Sequence, residues 1–125
     1  MKYLCFVYAE ESSFASIPES ELAALDEASL ANDEELRRTG RLVVAQALAP
    51  AREAVTVRVR DGKMSATDGP FAETTEQLGG FVFIEASDLN EAIQIASELP
   101  MAKLGSIEVR PVLDLEARVR ERSGG

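Results

Sequence analysis

Apolar and polar residues alternate in short runs along this chain, and the runs predict six β-strands. They lie at residues 2–8, 42–48, 54–60, 63–67, 79–85 and 107–112. Apolar side chains occupy both odd and even positions at 3–8, 42–48 and 81–84. This pattern is typical of strands that are covered on both faces. Protein must therefore pack on each side of the sheet that contains them.

The run at 54–60 differs because its apolar residues occupy only alternate positions. We expect one face of this strand to point inward and the other to face solvent, near a sheet edge. Asp61-Gly62 predicts a tight hairpin turn, after which 63–67 returns antiparallel. The predicted inward residues are Val55, Val57 and Val59, and the predicted outward residues are Thr56, Arg58 and Arg60.

A long helix is predicted from about Pro18 to Thr39. Ser16 and Glu19 stand before it at the spacing of a capping box, and Gly40 follows it as a terminator. Pro18 suits a first-turn position, where its missing N–H is harmless.

The apolar stripe of this predicted helix is thin. Leu22, Leu25 and Leu36 share one face, but Ser29 and Asn32 interrupt it. Two interpretations stay open: the helix is loosely packed, or the two polar side chains face a wet cavity. The second interpretation makes Ser29 and Asn32 candidate ligand-binding residues.

A second helix is predicted to begin at Asp88, which forms an acidic capping box with Glu91, and to stop at Pro100. Residues 113–125 form a C-terminal tail, partly helical, of a single domain spanning 1–125. The order of elements predicts an α+β fold, a ferredoxin-like sheet with two helices on one face. Nothing in the chain covers the other face, so we expect a homodimer that packs sheet against sheet.

Composition excludes several kinds of site and partner. The net charge of −9 argues against nucleic acid and anionic membranes as partners. No histidine is present, which removes Ser–His and Cys–His pairs and imidazole ligands for zinc. A single cysteine and the lack of a signal peptide or apolar span indicate a cytoplasmic location. We predict no cofactor and no bound metal.

One loop concentrates residues that bend the backbone, followed by two glycines that lead into an apolar strand. Such loops often carry functional sites. Its residues are Thr67-Asp68-Gly69-Pro70-Phe71-Ala72-Glu73, then Glu76-Gln77-Leu78-Gly79-Gly80-Phe81. The loop resembles the signature of the DGPF branch of the YCII-related family. The likeness extends to residues 1–3, Gly40, 57–63, 88–100 and 107–112.

This resemblance implies a dimeric α+β barrel in which each subunit has a cleft between sheet and helices. The wider group is associated with a His–Asp pair in that cleft. Asp68 fits the aspartate, whereas the chain has no histidine, and Thr75 stands where the branch often has lysine. The chemistry of Asp68 leaves three roles open: a general base, an anchor for a cation, or a turn former that accepts hydrogen bonds from backbone N–H groups.

Four further residues are candidates for ligand binding, each with a structural alternative. Phe71 is a stacking platform or an anchor in a core or interface. Gly79 and Gly80 permit close approach of a ligand or allow a bulge. Arg110 binds a carboxylate ligand or pairs with Glu108.

Two functions remain open. One is a cofactor-free acid–base enzyme that holds a small molecule near Asp68. The other is a non-catalytic ligand-sensing or interaction module, which the resemblance associates with sigma-factor regulation.

Overall fold

The computed structural model describes residues 1–124, so Gly125, the end of the predicted tail, lies outside them. In chain order the elements are β1 (Lys2–Ala9), α1 (Glu19–Arg38), β2 (Leu42–Ala47), β3 (Val55–Arg60), β4 (Lys63–Asp68), β5 (Gln77–Glu85), α2 (Leu89–Ser97), β6 (Ser106–Pro111) and α3 (Leu115–Ser123). Short 3₁₀ turns form at Glu11–Ser16, Ala51–Glu53 and Pro100–Lys103. None of the helices in this part of the chain is long and apolar enough to cross a membrane.

Four strands form one antiparallel sheet in the order β2-β5-β1-β6. β1 and β2 run parallel with β5 between them, the arrangement of a split β-α-β unit. Cys5 at the centre of β1 lies between Val82 of β5 and Val109 of β6. This topology confirms the predicted ferredoxin-like α+β fold.

The core lies between one face of this sheet and the helices α1 and α2. The buried side chains form one cluster made of Tyr3, Cys5, Val7, Leu36, Val82, Ile84, Ala86, Ala92, Ile95, Ala96 and Leu99. α1 contributes only Leu36 to the buried set. The thin apolar stripe therefore gives a helix that is anchored mainly at its C-terminal end.

The opposite face of the sheet, which we call the open sheet face, is also apolar. Strand pairing aligns Leu4 with Phe83, Phe6 with Phe81, and Val44 with Phe83. These five side chains are partly or largely exposed. Within one chain, the two-sided apolar pattern therefore leaves one face uncovered.

The hairpin formed by β3 and β4 departs from the prediction. β3 and β4 form a separate two-stranded sheet rather than lying near an edge of the main sheet. Val55, Val57 and Val59, predicted to point inward, are 58%, 61% and 59% exposed. The prediction was wrong because alternation identifies side chains that share a face, but not what packs against them.

The two predicted capping boxes have different outcomes. At α2, Asp88 Oδ1 accepts a hydrogen bond from the Glu91 N–H at 2.9 Å, and Glu91 Oε1 accepts one from the Ser87 N–H at 3.1 Å. At α1 the prediction was wrong. The Ser16 hydroxyl donates to the Ser13 carbonyl in the preceding 3₁₀ turn, and the N-cap residue Pro18 offers no capping side chain.

Candidate functional site at the base of the hairpin

Asp68 ends β4, at the base of the hairpin, and its side chain is exposed. The backbone there is held by other groups. The Gly69 N–H donates to the Ala54 carbonyl at 2.7 Å, and the Thr56 hydroxyl donates to the Gly69 carbonyl at 3.0 Å. Gly69 itself has a φ of 106°, which favours glycine. Within residues 1–124 the Asp68 carboxylate accepts no hydrogen bond, so it is free to bind a ligand.

Phe71 follows closely and is 78% exposed. Its ring lies beneath the guanidinium of Arg58, which is 5.3 Å from the ring centroid. That distance is within the range of a cation–π contact. In the single chain, Phe71 therefore serves neither as a core residue nor as a covered anchor.

The remainder of the loop is tied to the main sheet. Gln77 Nε2 donates to the carbonyls of Ala72 and Thr74 at 3.1 and 3.0 Å. The Ser106 hydroxyl donates to Glu76 Oε1 at 2.8 Å, which links the loop to the start of β6. These bonds give the Asp68 segment a defined path between the hairpin and β5.

The two glycines of β5 have different surroundings. Gly80 is buried, and a Cβ there would lie 2.8 Å from the Gln46 carbonyl oxygen, so close strand packing requires glycine. Gly79 is exposed, with 3.8 Å between an added Cβ and its nearest neighbour, the Val7 carbonyl oxygen. The β1–β5 register shifts beside it, between Val7 and Tyr8. Gly79 thus lies at a bulge, which re-aims nearby side chains.

Arg110 lies on the open sheet face, where β6 pairs it with Leu4. Among the described residues Arg110 forms no ion pair, so the alternative of a pair with Glu108 is not seen within one chain. Glu108 Oε1 instead accepts a hydrogen bond from the Tyr8 hydroxyl at 3.4 Å. Gly80 pairs with Val7 of β1, so Arg110 is displaced from the glycines by about 10 Å along the strand.

Ser29 and Asn32 lie on α1, on the helix side of the sheet and not beside Asp68. Both are half-buried, and Asn32 Nδ2 is buried without a hydrogen-bond partner. Burial raises the pKa of the neighbouring Asp33 carboxyl, an effect that Arg37 partly offsets. One turn towards the N-terminus, an open groove of about 400 Å³ runs between α1 and the 3₁₀ turn at Pro100–Lys103. It is lined by Ile17, Glu21, Ala24, Leu25, Ala28, Pro100, Lys103 and Leu104.

The seven predicted site residues therefore do not form one cluster. The structure brings together Asp68 and Phe71 at the hairpin base and Gly79 and Gly80 where the loop joins the sheet. It separates Ser29, Asn32 and Arg110 from them. Sequence reasoning missed the Tyr8–Glu108 and Ser106–Glu76 contacts, whose partners meet only through strand pairing.

Two further observations concern metals and thiols. Within residues 1–124, no group of three or more Cys, Asp or Glu side chains is arranged to hold a metal ion. Cys5 is fully buried, and burial raises the pKa of its thiol to about 11. A protonated, inaccessible thiol is a poor nucleophile.

Comparison with known proteins places this chain in a family. The model of the YCII-related domain matches residues 1–116. The chain belongs to the YCII-related family. An uncharacterised protein of Rhizobium meliloti (strain 1021) is 44% identical over 75 residues, which cover 58% of this chain and 60% of that protein. The match thus spans less than two thirds of the relative's length.

A solved structure has the same fold at low sequence identity. It is 5-chloro-2-hydroxyhydroquinone dehydrochlorinase of Burkholderia phenoliruptrix AC1100, in complex with 2,5-dihydroxybenzoquinone. The TM-score is 0.51 at 19% identity, and the match covers 90% of this chain and 94% of that one. At this identity the likeness supports the fold of the YCII-related chain.

Proposed function

We propose that this YCII-related protein belongs to the DGPF branch and is a cytoplasmic homodimer that binds a small molecule at the Asp68 loop. There it performs a cofactor-free acid–base step, with Asp68 as the base. The observation that carries the proposal is the free carboxylate of Asp68. Backbone and hydroxyl groups of other residues hold the loop, so the charge has no structural task within residues 1–124.

The loop after Asp68 supplies two further elements of a binding site, on the hairpin face opposite the Asp68 side chain. Phe71 offers an exposed aromatic face, and Arg58 above it offers a cation for an anionic or polar substituent. Planar, hydroxylated compounds fit this pair. The similarly folded dehydrochlorinase is named for a compound of that class, which makes hydroxylated aromatics the first set to screen.

A base works best where water is excluded and its pKa approaches the working pH. In a single chain Asp68 faces solvent, so the proposal requires a second chain to enclose it. The open sheet face supports that requirement, because Leu4, Phe6, Phe81 and Phe83 remain partly exposed without a partner. Covering this apolar face would provide a driving force for dimerisation.

Conservative substitution tests the role of the charge. Asp68→Asn should leave the melting temperature nearly unchanged, since the carboxylate accepts no hydrogen bond within residues 1–124. It should reduce turnover by about 100- to 10,000-fold, the usual contribution of a general base. Thermal melts, a thermal-shift screen of hydroxylated aromatics and turnover assays on the hits provide the measurements.

Glu73→Gln is the matched control, because Glu73 is another exposed carboxylate of the same loop without a hydrogen bond in the described chain. It should bind and turn over ligand like the wild type. An Asp68→Asn variant that folds, binds and reacts like the wild type would rule out a role for the charge.

The second candidate is a non-catalytic ligand-sensing or interaction module connected with sigma-factor regulation. The observation that favours it is the exposure of both hairpin faces, because exposed apolar and cationic side chains suit contacts with a protein. On this proposal, ligands found in the screen bind unchanged in chemical structure, and no turnover accompanies binding.

A further inference from the structure

We propose that the hairpin β3–β4 is a dimer arm, and that its apolar face packs on a second copy of this chain. Asp68 would then lie in a cleft lined by both chains. The proposal of a dimer arm rests on the structure alone, whereas the role of Asp68 in the cleft rests on the proposed function.

The first observation is the apolar face of the hairpin. Strand pairing aligns Val57 with Ala66 and Val59 with Met64, so these side chains share one face with Val55. The three valines are about as exposed as Met64, which is 68% exposed. We call this set, Val55, Val57, Val59, Met64 and Ala66, the valine face.

The second observation is that the hairpin stands apart from the main sheet of the described residues, and that Phe71 meets it through Arg58, on the face opposite the valines. It forms its own two-stranded sheet, apart from the four-stranded one. An isolated two-stranded hairpin is at best marginally stable in water, and β-branched residues on an uncovered face gain nothing from packing. The valine face is thus an apolar surface that needs a cover.

Net charge and apolar surface together favour a second copy of this chain as the cover. The face opposite the valines carries Arg58, Arg60 and Lys63, and none of the three forms an ion pair within residues 1–124. Residues 55–68 hold these three cations and two aspartates, so the rest of the chain is more acidic still than the overall −9. The hairpin thus has a net charge of +1 against −10 for the rest of the chain, so a second copy does not repel it as a whole. The same second copy supplies the open sheet face, an apolar surface that also lacks a cover.

Two-fold symmetry makes the exchange reciprocal. In an isologous dimer each arm reaches the other body, so both valine faces and both open sheet faces lose solvent contact together. The arms also bring positive charge to an association of two strongly acidic chains, which reduces their mutual repulsion.

Asp68 lies on the same side of the hairpin as the valines, because it pairs directly with Val55. An arm that docks through the valine face therefore turns Asp68 towards the second chain. Docking of the arm would explain why the candidate base Asp68 is exposed to water in a single chain. The site is incomplete without the partner, which excludes water and strengthens electrostatic interactions there.

The test compares two variants with the same change in net charge. Val57→Glu places a carboxylate on the valine face, whereas Ser65→Glu places one on the opposite face beside Arg58. Sedimentation equilibrium should show a dimer dissociation constant raised by about 100-fold or more for Val57→Glu, because an unpaired charge is costly in an apolar interface. Ser65→Glu should stay within about threefold of the wild type, as expected for a surface change.

Hydrogen exchange of the wild-type protein gives a readout that needs no variant. Amides of residues 55–68 should exchange markedly more slowly at concentrations where the dimer forms than at dilution. The proposal of a dimer arm would be overturned by any of three results. These are equal exchange in both conditions, unchanged dimerisation of Val57→Glu, and a wild-type protein that stays monomeric at high concentration.

The two proposals fail separately. Asp68→Asn that keeps the dimer but loses ligand supports the proposed function whether or not the arm exists. Val57→Glu that becomes monomeric yet binds a ligand of the screen with wild-type affinity overturns the two-chain cleft. Val57→Glu that loses both dimer and ligand, while Ser65→Glu keeps the dimer, supports it.

Discussion

The central strand β1 and the hairpin strand β3 both carry apolar side chains at alternate positions that share one face, yet these two faces have opposite environments. In β1, Tyr3, Cys5 and Val7 are buried against the helices. In β3, Val55 and Val57 stay mostly exposed, although valine favours strands in either place. Alternation therefore encodes which side chains share a face, while topology decides whether that face meets a partner.

The main sheet and the hairpin also differ in the contacts that hold their backbones in place. The four-stranded sheet is closed on one side by helices and held by close strand contacts. The hairpin is held by its own ladder and by the turn at Asp61 and Gly62, both of which have positive φ. We expect substitutions in the first region to act on folding of the monomer, and those in the second to act on association.

The largest expected effect is at Gly105, just before β6. A Cβ added there would lie 1.9 Å from the Tyr8 carbonyl oxygen, so the backbone of two strands must shift. Gly105→Ala should lower the free energy of unfolding by about 5 kcal/mol, the upper end for a single substitution, because the clash is with backbone rather than with a flexible side chain. Urea denaturation measures it, and Gly79→Ala, where the space is sufficient, is the control. Equal midpoints for both variants would contradict the expectation.

Truncation of one apolar side chain in each region sharpens the comparison. Ile84→Ala removes a fully buried side chain and should cost about 2–5 kcal/mol of unfolding free energy. Val57→Ala, studied at a dilution where the protein is monomeric, should cost less than about 1 kcal/mol. Denaturation at two protein concentrations checks this. A large loss for Val57→Ala in the monomer would mean that the hairpin already packs on its own chain.

The smallest expected effect concerns acid stability at α2. The Ser87 N–H bonded to Glu91, followed by Arg41 at 3.4 Å, lowers the pKa of the Glu91 carboxyl. A carboxyl whose pKa is lower in the folded state stabilises the fold above its unfolded pKa, about 4.3 for glutamate. This stability is lost as the pH falls through the lower, folded value.

Glu91→Gln should therefore be less stable than the wild type near neutral pH, and the gap should narrow below pH of about 4. Urea denaturation across that range measures it. Glu121→Gln, on the exposed helix α3, should show no such gap. A Glu91→Gln gap that is constant from neutral to acidic pH would contradict the assignment.

Much of the fold could be predicted because its signals are local. The α1 boundaries differ by one residue from those predicted, since Gly40 with a φ of 76° ends the helix as expected. The Asp88–Glu91 box was found because both partners lie within one turn. Ser16 misled the prediction because its hydroxyl had a nearer partner in the preceding 3₁₀ turn.

The candidate site was only partly predictable for the opposite reason. Asp68 and Phe71 are close in sequence, and the loop that joins them is unusual in composition. Tyr8 and Glu108 are 100 residues apart, and their contact depends on the exact pairing of β1 with β6. Asn32 was found as an interruption of the α1 stripe, but the pattern could not reveal that its Nδ2 would be left unpaired.

The burial of Cys5 has a practical consequence for spectroscopy. With no exposure and a pKa of about 11, the native thiol will not react with maleimides at neutral pH while the chain is folded. The wild-type protein is thus a ready background for single-site labelling, without removal of its own cysteine. A fluorophore or spin label at one introduced cysteine on the hairpin tip would report distances between chains directly. The same native thiol becomes reactive on unfolding, so its labelling rate also measures global opening.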